Sequence, residues 1–174
     1  VCSSDLARVA CPASSARIPG KPAGEHKVIK VHHLEHSRSH RILWLLEEIG
    51  QPYEIVRYRR DPVTRLAPPE LKKVHPLGKS PVVEDRGVVI AESGAIIEYL
   101  ARTYGKGGLW PSEAAPCWLE HTHWMHFAEG SAMLPLLLAL YVGRLGEAGA
   151  PLHQRIESEI TNRLDYMEKA LGER

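Results

Sequence analysis

Residues 77–100 read LGKSPVVEDRGVVIAESGAIIEYL, an order of residue types that is typical of a strand, a tight turn, a second strand and a helix. The first apolar strand begins directly after Pro81, residues 85–87 (DRG) predict the turn, and residues 88–90 (VVI) predict the returning antiparallel strand. Ser93 is a natural N-cap, because apolar side chains at helical spacing follow it. The stretch therefore predicts a β-hairpin that leads directly into a helix.

The two junctions of this hairpin have the chemistry of a small binding site. A proline at the start of a pairing strand removes one backbone donor from the ladder, which makes Pro81 a constrained choice. With a cis Ser80–Pro81 bond, the backbone N–H and C=O of Ser80 can face an extended peptide. The following helix start offers free N–H groups, a hydroxyl and partial positive charge, which together suit a carboxylate. These features predict a site for a small, anionic, peptide-like ligand.

The preceding residues extend the pattern to a whole small domain. Residues 27–33 alternate apolar and polar side chains and predict the first strand, and the helix that follows ends at Gly50 as its C′ residue. Further elements are predicted at residues 53–58 (a strand), 59–69 (a loop in which Arg59 and Arg60 are solvated) and 70–74 (a short helix). The resulting order of strands and helices predicts a mixed sheet with helices on both faces, which is the order of a thioredoxin-like α/β domain.

Composition divides the chain into four parts. Residues 1–26 mix Ser, Ala, Pro and Gly without a hydrophobic period, so they predict a disordered or non-native tail. Residues 27–106 form the predicted thioredoxin-like domain, residues 107–111 a linker with Gly and Pro, and residues 112–174 an all-α domain.

The all-α part predicts two long helices. The first spans residues 113–142 with a kink at Pro135, and the second spans residues 151–171. The second helix is expected to turn five apolar side chains inward: Ile156, Ile160, Leu164, Met167 and Leu171. Two such helices make an incomplete helical bundle and leave apolar surface uncovered, so we expect a C-terminal truncation.

The bulk composition excludes several classes of protein. The 174 residues carry a net charge of +1, so non-specific binding to nucleic acid or to a membrane surface has no electrostatic support. No apolar stretch is expected to span a bilayer, because Pro135 interrupts the longest one. Cys2, Cys11 and Cys117 form no CxxC or metal-ligand spacing, so we expect no disulfide framework and a reducing, cytoplasmic location.

Histidines occur in two runs but do not predict a metal site. The runs are His32, His33, His36 and His40, and His121, His123 and His126. A metal ion needs ligands that converge on one point, and no Cys or acidic partner completes either run. We therefore expect histidines of the surface or the core, and no metal.

Taken together, these patterns resemble the cytosolic glutathione S-transferases over residues 27–174. The resemblance rests on GKSP (78–81) and ESGAIIEYL (92–100), followed by a linker and an all-α segment. HSRSHRILWLLEEIGQPYEIV (36–56) resembles the first helix and second strand of the serine-type bacterial and fungal members. The resemblance implies glutathione as co-substrate, an electrophilic second substrate, a homodimer when full length, and cytoplasmic detoxification.

The resemblance also implies a role for five residues. Ser37 matches the activating serine, and Lys79 matches a position that reaches the glycine carboxylate of glutathione. Ser80 would pair its backbone with the cysteinyl unit. Glu92 and Ser93 match the pair that holds the γ-glutamyl end, the first by its carboxylate near the ligand ammonium and the second by its hydroxyl and N–H.

Physical chemistry independently supports a serine in the first of these roles. A thiol has a pKa of roughly 8.5, and only its thiolate is a good nucleophile. Lowering that pKa by about two units needs roughly 2.7 kcal/mol. A hydroxyl that donates to an anion supplies about 1.5–3 kcal/mol, and a helix N-terminus adds about 0.3–1 kcal/mol. Ser39 lies near the same helix end, so it could contact the sulfur instead, or both serines could be plain caps.

The function that follows is transfer of the glutathione thiolate to an electrophilic carbon of an apolar substrate. Two alternatives stay open at this point. A glutathione-dependent disulfide reductase would use the same thiolate on a sulfur target, and a non-catalytic interaction or regulatory module could share the fold. The presence of Ser37, Glu92 and Ser93 together in one chain favours an enzyme, because a pure interaction module does not need this polar set.

Overall fold

A computed structural model describes residues 28–172, so the predicted tail at 1–26 lies outside the described residues. Among these residues, one compact unit runs to Ser112 and a second begins at Glu113. The first unit contains β1 (Ile29–Leu34), α1 (Ser39–Ile49), β2 (Tyr53–Tyr58), α2 (Leu71–Val74), β3 (Val82–Asp85), β4 (Val88–Ala91) and α3 (Ser93–Tyr104). This order of elements confirms the order predicted from the sequence.

The four strands form one mixed sheet with the order β2-β1-β3-β4. β1 pairs in parallel with β2 and antiparallel with β3, so Val31 lies between Ile55 and Val83. The core joins the sheet to α1 and α3 through fully buried apolar side chains: Ile29, Val31, Ile42, Leu46, Val83, Ile96 and Leu100. Each such side chain contributes about 1.5–3 kcal/mol when it is buried. The unit is a thioredoxin-like domain, and its core fixes the ends of the strands where the candidate residues lie.

The hairpin differs from its sequence prediction in the length of its turn. Asp85 is the last residue of β3 rather than part of the turn, and only Arg86 and Gly87 connect the strands. Both have positive φ, 49° and 81°, as a two-residue hairpin turn requires. Asp85 is buried and accepts hydrogen bonds from Tyr99 and Tyr104 of α3. The residue is held in the strand because its carboxylate joins the hairpin to the helix.

The second unit departs further from prediction. It contains α4 (Trp118–Phe127), a π-helical turn (Ala128–Ala132), α5 (Met133–Val142), 3₁₀ turns (Gly143–Gly149) and α6 (Ala150–Gly172). A helix beginning at residue 113 was wrong, because Pro116 disfavours helical backbone at the residue before it. The irregularity attributed to Pro135 lies in the preceding π-helical turn. Pro135 has no N–H to bond the carbonyl four residues earlier, and its ring crowds that carbonyl, so the turn widens there.

The predicted inner face of α6 is mostly exposed within the described residues. Of its five apolar side chains only Ile156 is buried, and Leu164 and Leu171 are 57% and 63% exposed. α5 likewise exposes several leucines and Tyr141. The two helices therefore form the long helical region that the pattern predicted, with uncovered apolar surface.

Two further findings correct the sequence analysis. Cys117 is disulfide-bonded, which was not expected of any of the three cysteines. The helical run 118–172 is long and apolar enough, by length and composition alone, to cross a membrane, whereas no such stretch was expected. Core helices of soluble proteins meet the same criterion, and Gly146 interrupts this run with non-helical φ and ψ of 55° and −132°. The run is thus weak evidence for a membrane span.

Candidate functional site

The first predicted site residue, Ser37, lies in the connection between β1 and α1. It is half-buried, and its Oγ accepts a hydrogen bond from the backbone N–H of Ser39 at 3.3 Å. Neither serine is the N-cap, because α1 begins at Ser39 and Arg38 occupies the cap position. The Ser37 hydroxyl nevertheless satisfies one of the free donors that every helix start presents.

Ser37 belongs to a network of three hydroxyls. Its Oγ lies 2.8 Å from Ser39 Oγ and 3.3 Å from Ser80 Oγ. Ser39 Oγ in turn lies 2.8 Å from Nδ1 of His33. Ser39 is completely buried, whereas Ser37 keeps part of its surface open. Of the two candidates for contact with a ligand sulfur, Ser37 is therefore the accessible one.

Ser80 is held by its side chain as well as by its backbone. Its hydroxyl donates to the carbonyl of His32 at 2.7 Å and accepts from the N–H of Leu34 at 3.2 Å. The Ser80–Pro81 peptide bond is cis, as the sequence interpretation supposed. These bonds join the loop before β3 to the end of β1, which places Ser80 beside Ser37. Sequence alone offered no signal for this long-range link.

Glu92 and Ser93 lie where β4 ends and α3 begins. Glu92 is the N-cap, with φ of 74°, and its carbonyl accepts from the N–H of Ile96 at 2.9 Å. Ser93 was predicted as the cap but is the first helical residue, and it is buried. The helix start provides free N–H groups and partial positive charge at this point. Val82 pairs with Ala91, so the residues before β3 and those after β4 lie at the same end of the hairpin.

Lys79 is the predicted residue that the structure ties least to the others. It is exposed, and within residues 28–172 it forms no hydrogen bond or ion pair. Of the five predicted residues, Ser37 and Ser80 are thus in direct contact. Glu92 and Ser93 lie at the same end of the hairpin as Ser80. Lys79 is close to this group only because it precedes Ser80 in the chain.

Sequence reasoning missed two residues that shape this region. His33 was treated as an ordinary histidine, yet it ends the hydroxyl network. Partial burial, together with the nearby charges of His40 and Arg57, lowers the pKa of His33 below its ordinary value of 6.5. The pattern of alternating residues in β1 could have placed His33 on the face of Ile29 and Val31, but not its contact with Ser39.

Arg60 is the second residue that was missed, because it was predicted to be solvated. Its guanidinium donates to the backbone carbonyls of Glu35 and His36 at 3.0 and 3.1 Å, and to that of Arg65 at 2.9 Å. Its own backbone N–H donates to Oε1 of Glu35 at 3.1 Å. Arg60 thereby fixes the connection that carries Ser37.

No group of three His, Cys, Asp or Glu side chains within the described part of the chain could hold a metal ion. The chemistry available at this site is that of hydroxyls, backbone donors and a helix start. Such a set can bind a peptide-like anion and stabilise negative charge near Ser37.

Comparison with known sequences identifies the domain that contains this site. The pattern that defines the family "Glutathione S-transferase, N-terminal domain" matches residues 26–102. The chain is 41% identical over 130 residues to glutathione S-transferase 1 of Saccharomyces cerevisiae, covering 71% of this chain and 55% of that protein. It is 47% identical over 129 residues to glutathione S-transferase 3 of Schizosaccharomyces pombe, and the match covers 74% of this chain and 52% of that protein. The chain spans about half the length of these relatives.

Solved structures agree with this assignment. A glutathione S-transferase from Actinobacillus pleuropneumoniae superposes with a TM-score of 0.72 at 34% identity, covering 83% of this chain and 66% of that one. The glutathione transferase URE2P8 from Phanerochaete chrysosporium, solved with oxidised glutathione, gives a TM-score of 0.70 at 20% identity. This superposition covers 86% of this chain and 70% of that one. The second likeness shows the fold alone. The matched domain and the two yeast relatives show that this chain contains the N-terminal domain of the glutathione S-transferase family.

Proposed function

We propose that this chain binds glutathione, lowers the pKa of its thiol and transfers the thiolate to electrophilic carbon atoms of apolar substrates. The observation that carries the proposal is the half-buried Ser37 hydroxyl, which lies 3.3 Å from Ser80 Oγ at the start of α1. The matched family domain supports glutathione as the ligand. A structural neighbour was also solved with oxidised glutathione.

Each part of glutathione has a proposed partner. The backbone of Ser80 pairs with the cysteinyl unit, because Ser80 lies just before β3 and its side chain contacts Ser37. Glu92 and the N–H groups around Ser93 hold the γ-glutamyl end, where a carboxylate benefits from the helix start. Lys79 attracts the glycine carboxylate, which suits its exposed position.

The proposed chemistry is stabilisation and positioning of a thiolate. Ser37 donates its hydroxyl proton in a hydrogen bond to sulfur, which stabilises the thiolate by about 1.5–3 kcal/mol. The thiolate attacks the electrophilic carbon, a C–S bond forms, and the leaving group departs with its electron pair. Ser39 is the weaker candidate for this role, because it is fully buried and bonded to His33.

Oligomeric state and cellular location are also proposals. Similarity to this family favours a homodimer of the full-length protein and residence in the cytoplasm. The redox state of Cys117 bears on the location, because cytosolic thiols are normally kept reduced. Counting free thiols after alkylation in intact cells tests the location. Three free thiols per chain support the cytoplasm, and a blocked Cys117 contradicts it.

The experiment that tests the main proposal is calorimetric titration of the folded chain with reduced glutathione. Ultraviolet absorbance then reports the thiolate, and circular dichroism confirms that the chain is folded. We expect binding together with a thiolate signal at neutral pH, and turnover of an aryl halide. Binding with turnover only of a mixed disulfide would assign a reductase instead. A folded chain that ignores glutathione would favour the interaction module.

A further inference from the structure

The hydroxyl network at Ser37 does not end at a serine. Ser37 Oγ lies 2.8 Å from Ser39 Oγ, which lies 2.8 Å from Nδ1 of His33. Both distances are those of good hydrogen bonds. A continuous path of two hydroxyls therefore connects the proposed sulfur position with a titratable ring nitrogen.

The direction of the neighbouring bonds limits how this path can be used. Ser80 donates its hydroxyl proton to the carbonyl of His32 at 2.7 Å, so that proton is committed. Ser80 offers no base, and its oxygen already accepts from the N–H of Leu34. The single hydroxyl proton of Ser37 can therefore go to Ser39 Oγ at 2.8 Å in place of Ser80 Oγ at 3.3 Å. In the tautomer that carries its proton on Nε2, His33 has a lone pair at Nδ1 that a proton from Ser37 can reach through Ser39.

We propose that His33 accepts the thiol proton of glutathione through Ser39 and Ser37, an inference that rests on the function proposed above. His33 touches no substrate atom and acts through the two serines. It is thus a positioning residue that also stores the proton, whereas Ser37 makes the contact with sulfur.

The step balances in atoms and charge. Before it, the thiol S–H points at Ser37 Oγ, Ser37 donates to Ser39 Oγ, and Ser39 donates to neutral His33 Nδ1. The S–H bond breaks and its electron pair stays on sulfur, while the proton binds Ser37 Oγ. The proton of Ser37 passes to Ser39 Oγ, and that of Ser39 passes to Nδ1. The products are a thiolate and an imidazolium, and every hydrogen bond of the path now points toward the sulfur.

The surroundings of His33 suit this role. His40 of α1 faces it edge-on with ring centroids 5.0 Å apart, and Arg57 lies opposite it on β2. Partial burial, followed by the charges of His40 and Arg57, lowers the pKa of His33, so its ring is neutral and able to take a proton at neutral pH. A thiolate at the other end of the path supplies the negative charge that stabilises the resulting imidazolium, as in cysteine–histidine pairs.

The experiment that tests this proposal measures how many protons are released to solvent when glutathione binds. Titration of the chain with glutathione in buffers of different ionisation enthalpy gives the protons released per ligand bound, and ultraviolet absorbance gives the thiolate formed. We expect the wild-type chain to form thiolate at neutral pH and to release clearly less than one proton per thiolate, because His33 keeps part of the proton. S-Methylglutathione, which has no thiol proton, provides the baseline for binding alone.

The deciding variant is His33→Asn, since asparagine can hydrogen-bond to Ser39 but cannot be protonated. We expect this variant to bind S-methylglutathione normally. With glutathione it should either release one proton for each thiolate formed or show a thiolate fraction about tenfold lower, which equals a rise of about one pKa unit. His40→Asn is the matched control, because His40 has no bond to Ser39, and it should keep the wild-type proton count.

The outcomes separate this inference from the proposed function. Wild-type protein that forms thiolate but releases about one proton per thiolate overturns the role of His33 and leaves the transferase proposal standing. His33→Asn with a wild-type proton count has the same meaning. Failure of the folded wild-type chain to bind glutathione overturns both. Should His33→Asn not fold, Ser39→Ala breaks the same path without changing His33, and it is expected to give the same proton release.

Discussion

Ser37 and Ser39 flank Arg38 and have the same side chain, yet their surroundings give them different chemistry. Ser39 is completely buried and bonded to His33, whereas Ser37 is half-buried and bonded to Ser80. A hydroxyl must reach a ligand to stabilise its charge, so accessibility favours Ser37. Burial makes Ser39 a link between Ser37 and His33.

Ser37→Ala tests the contact with sulfur. We expect the pKa of bound glutathione to rise by about 1–2 units, because one hydrogen bond to an anion is lost. The dissociation constant of glutathione should stay within about threefold, because the remaining contacts hold the peptide. Thiolate absorbance measured across a pH titration gives the result. Ser37→Thr keeps a hydroxyl and should stay close to wild type, and an unchanged thiol pKa in Ser37→Ala would turn attention to Ser39.

Ser80→Ala tests the side-chain link between the hairpin and β1. The substitution leaves the His32 carbonyl and the Leu34 N–H without their partner at this half-buried site. We expect a loss of about 1–2 kcal/mol in the free energy of unfolding, measured by urea denaturation. Lys79→Ala, at the exposed neighbouring position, should change stability by less than about 0.5 kcal/mol. Equal stability of the two variants would contradict the link.

The end of α1 and the start of α3 both lie at residues with positive φ. Gly50 was predicted to end α1, and it does so with φ of 71° and N–H bonds back to the last turn. The N-terminus of α3 was misplaced by one residue. Ser93 has a good capping side chain, but the positive φ at Glu92 makes the chain turn one residue earlier.

Gly50→Ala tests how much the glycine at the end of α1 contributes to the free energy of unfolding. A Cβ at Gly50 meets no atom within 4 Å, so only the left-handed backbone opposes the change. We expect a loss of about 1–2 kcal/mol of stability. Gly94→Ala is the control, because its position is equally open and its φ is not left-handed. The control should be neutral or stabilising by less than about 1 kcal/mol, and equal losses in both variants would contradict the conformational cause.

The junction of β3 with α3 predicts how stability depends on alkaline pH. Burial, followed by the hydrogen bond to Asp85, raises the pKa of Tyr99 from 10.0 to about 12. The same causes raise the pKa of Tyr104. Because the folded pKa lies above the unfolded one, this stabilisation is fully present below pH 10 and is lost as pH rises through about 12.

Tyr99→Phe should therefore make the alkaline loss of stability shallower than in wild type. Urea denaturation at a series of pH values between 9 and 12 measures it. At neutral pH the same variant should lose about 1 kcal/mol, because the hydrogen bond to Asp85 is removed. Tyr141→Phe is the control, since the Tyr141 side chain is 58% exposed and does not contact Asp85. Parallel curves for wild type and Tyr99→Phe would contradict this account.

At the scale of the whole molecule, the described part of the helical unit leaves several large apolar side chains exposed. Leu134, Leu138 and Tyr141 are spaced to share one face of α5, and they are 55%, 43% and 58% exposed. Water disfavours such surface, so association of chains through it is expected.

The double variant Leu134→Lys/Leu138→Lys tests this expectation. Sedimentation of the wild-type chain should give a species of at least twice the 19.4 kDa chain mass, with the balance depending on concentration. The double variant should shift the balance toward monomer, because two charges would be desolvated in the contact. Leu119→Lys, at a 76% exposed position on α4, should leave the balance unchanged. A monomeric wild-type chain would contradict the expectation.

The order of elements, the end of α1 at Gly50 and the hairpin that leads into α3 could all be predicted from the sequence. They depend on hydrophobic period and turn chemistry, which act between residues close in the chain. The long helical region was predicted in outline, but its π-helical turn was not. Such a turn depends on how the helix accommodates Pro135, and residue type does not specify that.

Only the tertiary structure decided which side chains act together. Ser80 meets the end of β1 across 46 and 48 residues of sequence, and Arg60 reaches the β1–α1 connection across 24 and 25. His33 and Ser39 are close in sequence, but the packing of α1 against the sheet sets the hydrogen bond between them. Period and propensity determine where a chain turns and which face it buries. The position of a hydroxyl to within a hydrogen bond depends on the packed core beneath it, because distant residues must first be brought together there.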